Sequence, residues 1–153
     1  MAFLKCDFCR FMFITAASYL KILCVPAHLQ SETGGILGGR NQIIDRVCLD
    51  SGVYSAAGSF TYTPNSALLN RCIQHWHFSN RSFMGVFHTH PNKPGYDRLS
   101  CGDIDYITFF MAVNPDFSIL YFPIIIPGIC MIPYYAIRSN GQIQIQKDSV
   151  HIL

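Results

Sequence analysis

The run Phe83-Met84-Gly85-Val86-Phe87-His88-Thr89-His90, closed by Pro91, is apolar where it starts and polar where it ends. Its length and composition predict a buried central strand. Residues two apart on a strand share a face, so His88 and His90 project together while Thr89 points away. Pro91 has no N–H to continue a ladder and stops the strand there, which leaves two imidazoles at a sheet end.

The chain beyond Pro91 supplies a third group of the same chemistry. A loop from Pro91 to Leu99 carries Lys93, Asp97 and Arg98, charges that could meet a substrate. Ser100 and Asp103 then have the spacing of an N-cap and its reciprocal partner, predicting a helix over Cys101 to Val113 that Asn114-Pro115 closes. Asp103 sits in the first turn of that helix, thirteen residues after His90. Two neutral imidazoles and one carboxylate form a three-ligand zinc set that keeps a fourth position open for water. Zinc lowers the pKa of such a water toward about 7.

A hydrolytic zinc site also needs a base outside the ligand set. The nine acidic residues are eight Asp and one Glu, Glu32, which opens Glu-Thr-Gly-Gly-Ile-Leu-Gly-Gly. A charge beside a glycine-rich buried strand is unusual unless something there uses it. Glu32 is the candidate general base and the Ser100 hydroxyl the candidate oxyanion donor. Each residue taken alone has a bland reading. A lone His on an apolar strand is usually a satisfied core residue, Ser100 and Asp103 make an ordinary cap, and Glu32 ends a strand. Packing alone has no use for the whole set at this spacing.

Upstream, Phe11 to Val25 is apolar with a stripe of Phe13, Ala16, Ala17, Leu20, Leu23 and Cys24, predicting a first core helix that ends near Pro26. Lys5 and Arg10 precede it as in a secretory leader, but Lys21 interrupts the run and no clean cleavage site follows. Gly35 to Gly38 and Gln42 to Leu49 read as strands, and Phe60 to Thr63 as a third. Pro64-Asn65-Ser66 opens a helix with Leu69, Cys72, Ile73 and Trp76 on one face. His75 and His77 flank that Trp as a surface pair. Phe117 to Phe122 and Met131 to Ile137 read as strands, and Tyr134 and Tyr135 as strand packing. Asn140-Gly141 is a hairpin turn, and the strand after it alternates Ile with Gln as an edge strand does. The apolar stretch from Pro123 to Leu153 covers core or binds a partner. His151 falls near the end of the chain, where residues are often mobile.

The 153 residues suit one domain, 1–153, of mixed α/β class. Half of them are hydrophobic and 13% charged, about half the usual charged share, which excludes a disordered chain. A formal net charge of +2 with no basic run gives no case for nucleic acid, and no run is long enough for a membrane span. Seven cysteines, an odd number set mostly in apolar patterns, read as reduced buried thiols of a cytoplasmic protein. Cys6 and Cys9 are Cys-x-x-Cys without the second pair of a zinc knuckle. Cys101, two residues before Asp103, could block the open metal position.

Glu32, His88-Thr-His-Pro and Ser100-x-x-Asp103 resemble the JAMM motif of the JAB/MPN metalloproteases, and Glu-Thr-Gly-Gly-Ile-Leu-Gly-Gly is similar to that family's opening strand. The resemblance covers Phe13 to about Leu120. It implies a mixed, mainly antiparallel central sheet sandwiched by helices, similar to the cytidine-deaminase architecture. It implies zinc on His88, His90 and Asp103, Glu32 as acid and base, and Ser100 at the oxyanion. The implied reaction is hydrolysis of the peptide or isopeptide bond after the Gly-Gly tail of ubiquitin or a ubiquitin-like protein, as in a deubiquitinase. Processing of a ubiquitin-like sulfur-carrier tail uses the same chemistry, and a non-catalytic zinc scaffold is a further reading. A DNA-repair-associated relative carries His-Asn-His-Pro, but Thr89 and the lack of basic clusters speak against it. Oligomeric state is left open by the sequence.

Overall fold

Thr15 divides the first apolar stretch into two elements of different kind. Phe11–Ile14 is strand β1, with Met12 and Ile14 fully buried. Thr15 then caps helix α1, Ala16–Leu23, its Oγ1 accepting from the Ser18 N–H at 3.3 Å. The expected helix over Phe11 to Val25 is thus corrected to a strand and a short helix. The buried face of α1 carries Ser18 and Ile22, whereas Leu20 and Cys24 of the expected stripe are exposed. A short apolar run satisfies helix and strand templates alike, so pairing with distant strands decides between them.

The computed structural model describes residues 11–25, 32–53 and 62–153. The chain continues through β2 (Gly34–Arg40), β3 (Ile43–Asp50), α2 (Ser66–Phe78), β4 (Ser82–Thr89) and α3 (Cys101–Val113). Strands β5 (Ile119–Tyr121), β6 (Ile124–Ile126), β7 (Cys130–Ile132), β8 (Tyr134–Ser139), β9 (Gln142–Lys147) and β10 (Ser149–Ile152) follow. Cys6, Cys9, Lys5, Arg10, Pro26, His28 and the start of the Phe60 to Thr63 segment lie outside the described residues. Tyr62 and Thr63 belong to no strand.

The ten strands of the described residues join one mixed sheet, in the order β10-β1-β3-β2-β4-β5-β8-β9, with β6 and β7 branching from β4. Antiparallel pairs link β2 to β3 and β4, β5 to β8, β6 to β7 and β8 to β9. Parallel pairs join β1 to β10 and β3, and β4 to β5 and β6. The sheet is therefore more evenly mixed than the mainly antiparallel arrangement expected. Asn140 and Gly141, with φ of 51° and 77°, make the turn between β8 and β9. Strand β9 is an edge, as its alternating Ile and Gln predict.

Helix α1 packs on one face of the sheet, over Met12, Leu37, Ile44 and Phe87. Helices α2 and α3 cover the other, where Trp76 and Met111 meet Ile36, Val86 and Leu120. Each such side chain contributes about 1.5–3 kcal/mol through burial. The glycines of β2 admit this packing. A Cβ on Gly38 would lie 2.5 Å from the Trp76 ring, and one on Gly34 2.5 Å from the Tyr62 ring. Only residues without a side chain let those rings rest on the backbone.

The stretch from Pro123 to Leu153 covers core, with Ile124, Ile125 and Ala136 fully buried. His151 is not at a loose end: it lies in β10 and meets the rings of Phe11 and Phe13. Cysteine usage also departs from expectation. Cys48 of β3 and Cys72 of α2 form a disulfide, and Cys24 and Cys101 are exposed rather than buried. The bond closes a sequence separation of 24 residues. Cys72→Ser should lower the unfolding free energy of the oxidised protein by about 2–4 kcal/mol. Urea unfolding with and without reductant checks this, and the difference from the parent should shrink once both are reduced. Among the described residues no helix is long and apolar enough to cross a membrane.

Candidate metal centre

Strand β4 changes partner near its carboxyl end, and that is where the histidines stand. Gly85 pairs with Tyr121 of β5, whereas His88 and Thr89 pair with Ile124 and Ile125 of β6. The His90 N–H donates to the Ile125 carbonyl at 2.9 Å before Pro91 ends the ladder. Val86 faces the α2–α3 side and Phe87 the α1 side, so the alternation carries His88 and His90 to the α2–α3 side.

Thr89 faces the other way and is buried, with a task of its own. Its Oγ1 accepts from the Thr33 N–H at 2.9 Å, and its N–H donates to the Thr33 carbonyl at 2.7 Å. This clamp fixes the residue next to Glu32 against β4. A second hub is Asp50, also buried, whose carboxylate accepts from Gly52 N–H at 2.9 Å, Tyr62 Oη at 2.8 Å and Asn65 N–H at 2.7 Å. It thereby holds Tyr62 and the start of α2 at the end of β3. The Tyr62 N–H in turn donates to Glu32 Oε2 at 3.3 Å. Burial and the Asp50 bond push the Tyr62 phenol far above its usual range, so it stays a donor. The sequence reading missed Thr89, Asp50 and Tyr62 as positioning residues. Asp50 carried only the signal of a strand end before Ser51-Gly52.

All five residues singled out by the sequence meet here. His88 Nε2 and His90 Nε2 are 2.9 Å apart. Asp103 Oδ1 lies 3.2 Å from His88 Nε2, and Asp103 Oδ2 lies 3.6 Å from His90 Nε2. Glu32 Oε1 is 3.7 Å from His90 Nε2. Helix α3 begins with the full capping box: Ser100 Oγ accepts from Asp103 N–H at 3.1 Å, and Asp103 Oδ2 accepts from Ser100 N–H at 2.7 Å. Ser100 Oγ also donates to Oδ2 at 2.7 Å. The Ser100 hydroxyl is thus committed to Asp103, and donating to an oxyanion requires it to leave that bond.

These donors fit a zinc ion. His90 Nδ1 is 2.8 Å from the Tyr96 carbonyl, which can only accept, so Nδ1 carries the hydrogen and Nε2 of the neutral ring offers its lone pair. Ligands about 2.0–2.1 Å from a tetrahedral zinc stand about 3.3–3.4 Å from one another. The 2.9 Å between His88 and His90 and the 3.2 Å from His88 to Asp103 Oδ1 lie close to that value, and the other Asp103 oxygen, Oδ2, stands 3.6 Å from His90. Two carboxylates compete for the third place, because Glu32, His88 and His90 also set donor atoms within 4.8 Å of one another. Asp103 is the nearer to both imidazoles: Oδ1 faces His88, and Oδ2, which faces His90, is anchored by Ser100, the outer support that metal ligands usually have. Among the described residues Glu32 has only the longer bond from Tyr62.

The charge balance points the same way. Burial pulls the His90 imidazole down, but Asp103, the Tyr96 carbonyl and Glu32 outweigh it and hold it above its usual value. Burial alone would raise Asp103, yet His88, His90 and Ser100 hold its carboxyl far below the usual range. The cluster stabilises positive charge, whether carried by a proton or by a metal that displaces it. No cysteine belongs to this donor group, so the expected thiol ligand from Cys101 has no support in its geometry. His75 and His77 are exposed on either side of buried Trp76, as expected.

A cavity of about 180 Å³ adjoins the donors, bounded by Glu32, His88, Ser100 and Asp103 and walled by Val86 and Ile107. A larger one of about 800 Å³ lies at the far end of the sheet, between Phe13, Arg40, Met84 and Ile119. Size favours the second, but the metal-competent donors line the first.

No protein-family model matches the chain, and no curated protein does. Solved structures do match. The solution structure of a protein from Desulfitobacterium hafniense superposes with a TM-score of 0.60, at 16% identity over 92% of each chain. That of a protein from Salinibacter ruber (strain DSM 13855) gives 0.57, at 14% identity over 93% of this chain and 92% of that one. At such identities the likeness shows a shared mixed α/β fold and carries no activity across.

Proposed function

We propose that this chain is a zinc-dependent amide hydrolase of the JAB/MPN kind, acting after the Gly-Gly tail of a ubiquitin-like protein. The observation that carries the reading is the convergence of Glu32, His88, His90 and Asp103 from three separate segments, with Glu32, His88 and Asp103 lining one small cavity. Zinc held by His88, His90 and Asp103 would acidify a water molecule and polarise a carbonyl.

The protein's own groups do the rest. Glu32 accepts a proton from water as the oxygen adds to the scissile carbonyl carbon. It then delivers that proton to the amine nitrogen as the C–N bond breaks. Tyr62 N–H holds Glu32 Oε2, leaving Oε1 directed toward His90 and free to exchange the proton. Ser100 turns its hydroxyl from Asp103 to the developing oxyanion. Asp103 Oδ2 keeps the Ser100 N–H bond when that happens. The Tyr96 carbonyl holds His90 in one tautomer throughout.

The same chemistry would process the tail of a ubiquitin-like sulfur-carrier protein, and the substrates are separated by assay. Zinc-loaded protein should release the amine from a ubiquitin-like protein carrying a fluorogenic amide after its Gly-Gly tail, or an amino acid from a sulfur-carrier conjugate. Chelator should stop the release and added zinc restore it. Full zinc loading with no release from either substrate would leave a non-catalytic zinc scaffold, a reading that the engaged Ser100 hydroxyl favours. The reading calls for neither nucleic acid nor membrane.

A further inference from the structure

The cavity beside the metal donors is apolar on its remaining walls. Val86, Ile107 and Phe122 are buried there, and the rings of Tyr62 and Tyr106 flank them. Its volume of about 180 Å³ exceeds the roughly 150 Å³ that suffices for a benzene molecule in an apolar protein cavity. Two glycines and nothing else would leave that space lined by hydrocarbon and filled by water.

Gly102 is the second observation. It lies in the first turn of α3 and lines the same cavity. Its φ is not in the left-handed region, and a Cβ built on it meets nothing closer than Ser100 Oγ at 3.7 Å. Glycine weakens a helix relative to alanine, so the fold has no use for it at this position. Its lack of a side chain keeps the cavity open, because Gly102 stands one helical turn from Tyr106 on the face that Asp103 shares with Ile107.

From this geometry we infer that the site selects a substrate with a branched-aliphatic or aromatic side chain, of Leu to Phe size, on a residue flanking the scissile amide, and that Gly102 sets this size. The inference rests on the hydrolase reading for the word substrate, but the pocket is testable without it. In metal-free protein, toluene should shift the methyl resonances of Val86 and Ile107, and Gly102→Leu, which fills the space from a tolerant helix position, should abolish the shifts. In zinc-loaded protein, phenylacetohydroxamate should bind roughly tenfold tighter than acetohydroxamate or more, the scale set by burying one benzyl group. Gly102→Leu should lose the preference, binding phenylacetohydroxamate no tighter than acetohydroxamate. Absence of toluene shifts, equal affinities in the parent, or a preference that survives in Gly102→Leu would overturn the inference. Toluene shifts without binding of either hydroxamate would sink the zinc hydrolase reading and leave the pocket standing.

Discussion

Asp103→Asn and His88→Ala should each lose the zinc that the parent holds at about one ion per chain. Loss of an outer-sphere partner alone typically costs about 10–100-fold in metal affinity, and loss of a ligand costs more. Asn is the better replacement at 103 because it keeps an oxygen for the Ser100 N–H, now at 2.7 Å, and so preserves the helix cap. Alanine there would confound the result with a lost cap worth about 1 kcal/mol. Metal analysis after dialysis gives the stoichiometry, and thermal melts with and without zinc give an independent reading. At a free zinc concentration 100 times the dissociation constant, the parent should gain about 2.7 kcal/mol and the variants close to nothing. Cys48→Ser, which breaks the disulfide and removes none of these donors, should keep its zinc. Zinc retained by both ligand variants would place the metal elsewhere and remove the hydrolase reading with it.

What the sequence showed of this site was local. His88 and His90 are two apart on a strand, so their common face follows from strand geometry. The Ser100–Asp103 box fixes where α3 begins, and the helix runs over Cys101–Val113 as the cap and Asn114-Pro115 predict. Asn140-Gly141 likewise states its turn in two residues. Glycines as dense as those of β2 permit close approach, but nothing in the sequence says that the Trp76 and Tyr62 rings make it. The unread features are all long-range. Phe11–Ile14 becomes a strand because β10 and β3 flank it, and Ser149–Ile152, only four residues long, carries no signal that it pairs with the other end of the chain. Cys48 and Cys72 sit on a strand and a helix whose packing no spacing rule specifies. Asp50 grips Tyr62 and Asn65, twelve and fifteen residues away, by bonds that exist only once β3 and α2 are in place. Those distant bonds position Glu32, so the sequence could nominate the base but not explain how it is held.

Glu32→Gln should lower kcat by about 10²–10⁴, the usual worth of a positioned general acid and base, on the amide substrate that the parent cleaves. The substitution keeps the volume of the side chain and an oxygen for the Tyr62 N–H, so the melting temperature should stay close to the parent's. It removes only the capacity to take and return a proton. Its value lies in separating two roles that the geometry leaves adjacent, because Glu32 Oε1 and both Asp103 oxygens lie within 4 Å of an imidazole Nε2. A base outside the ligand set loses rate and keeps zinc, whereas a ligand loses both. The anchoring favours the first outcome. Asp103 is clamped by Ser100 at 2.7 Å, as a fixed ligand must be, while the bond that Glu32 accepts among the described residues is 3.3 Å long, loose enough for a carboxylate that must reach first a water and then a departing amine. Zinc lost together with activity in Glu32→Gln would exchange the two roles, and an unchanged rate with zinc retained would leave Glu32 as a strand-end residue and the hydrolysis without its base.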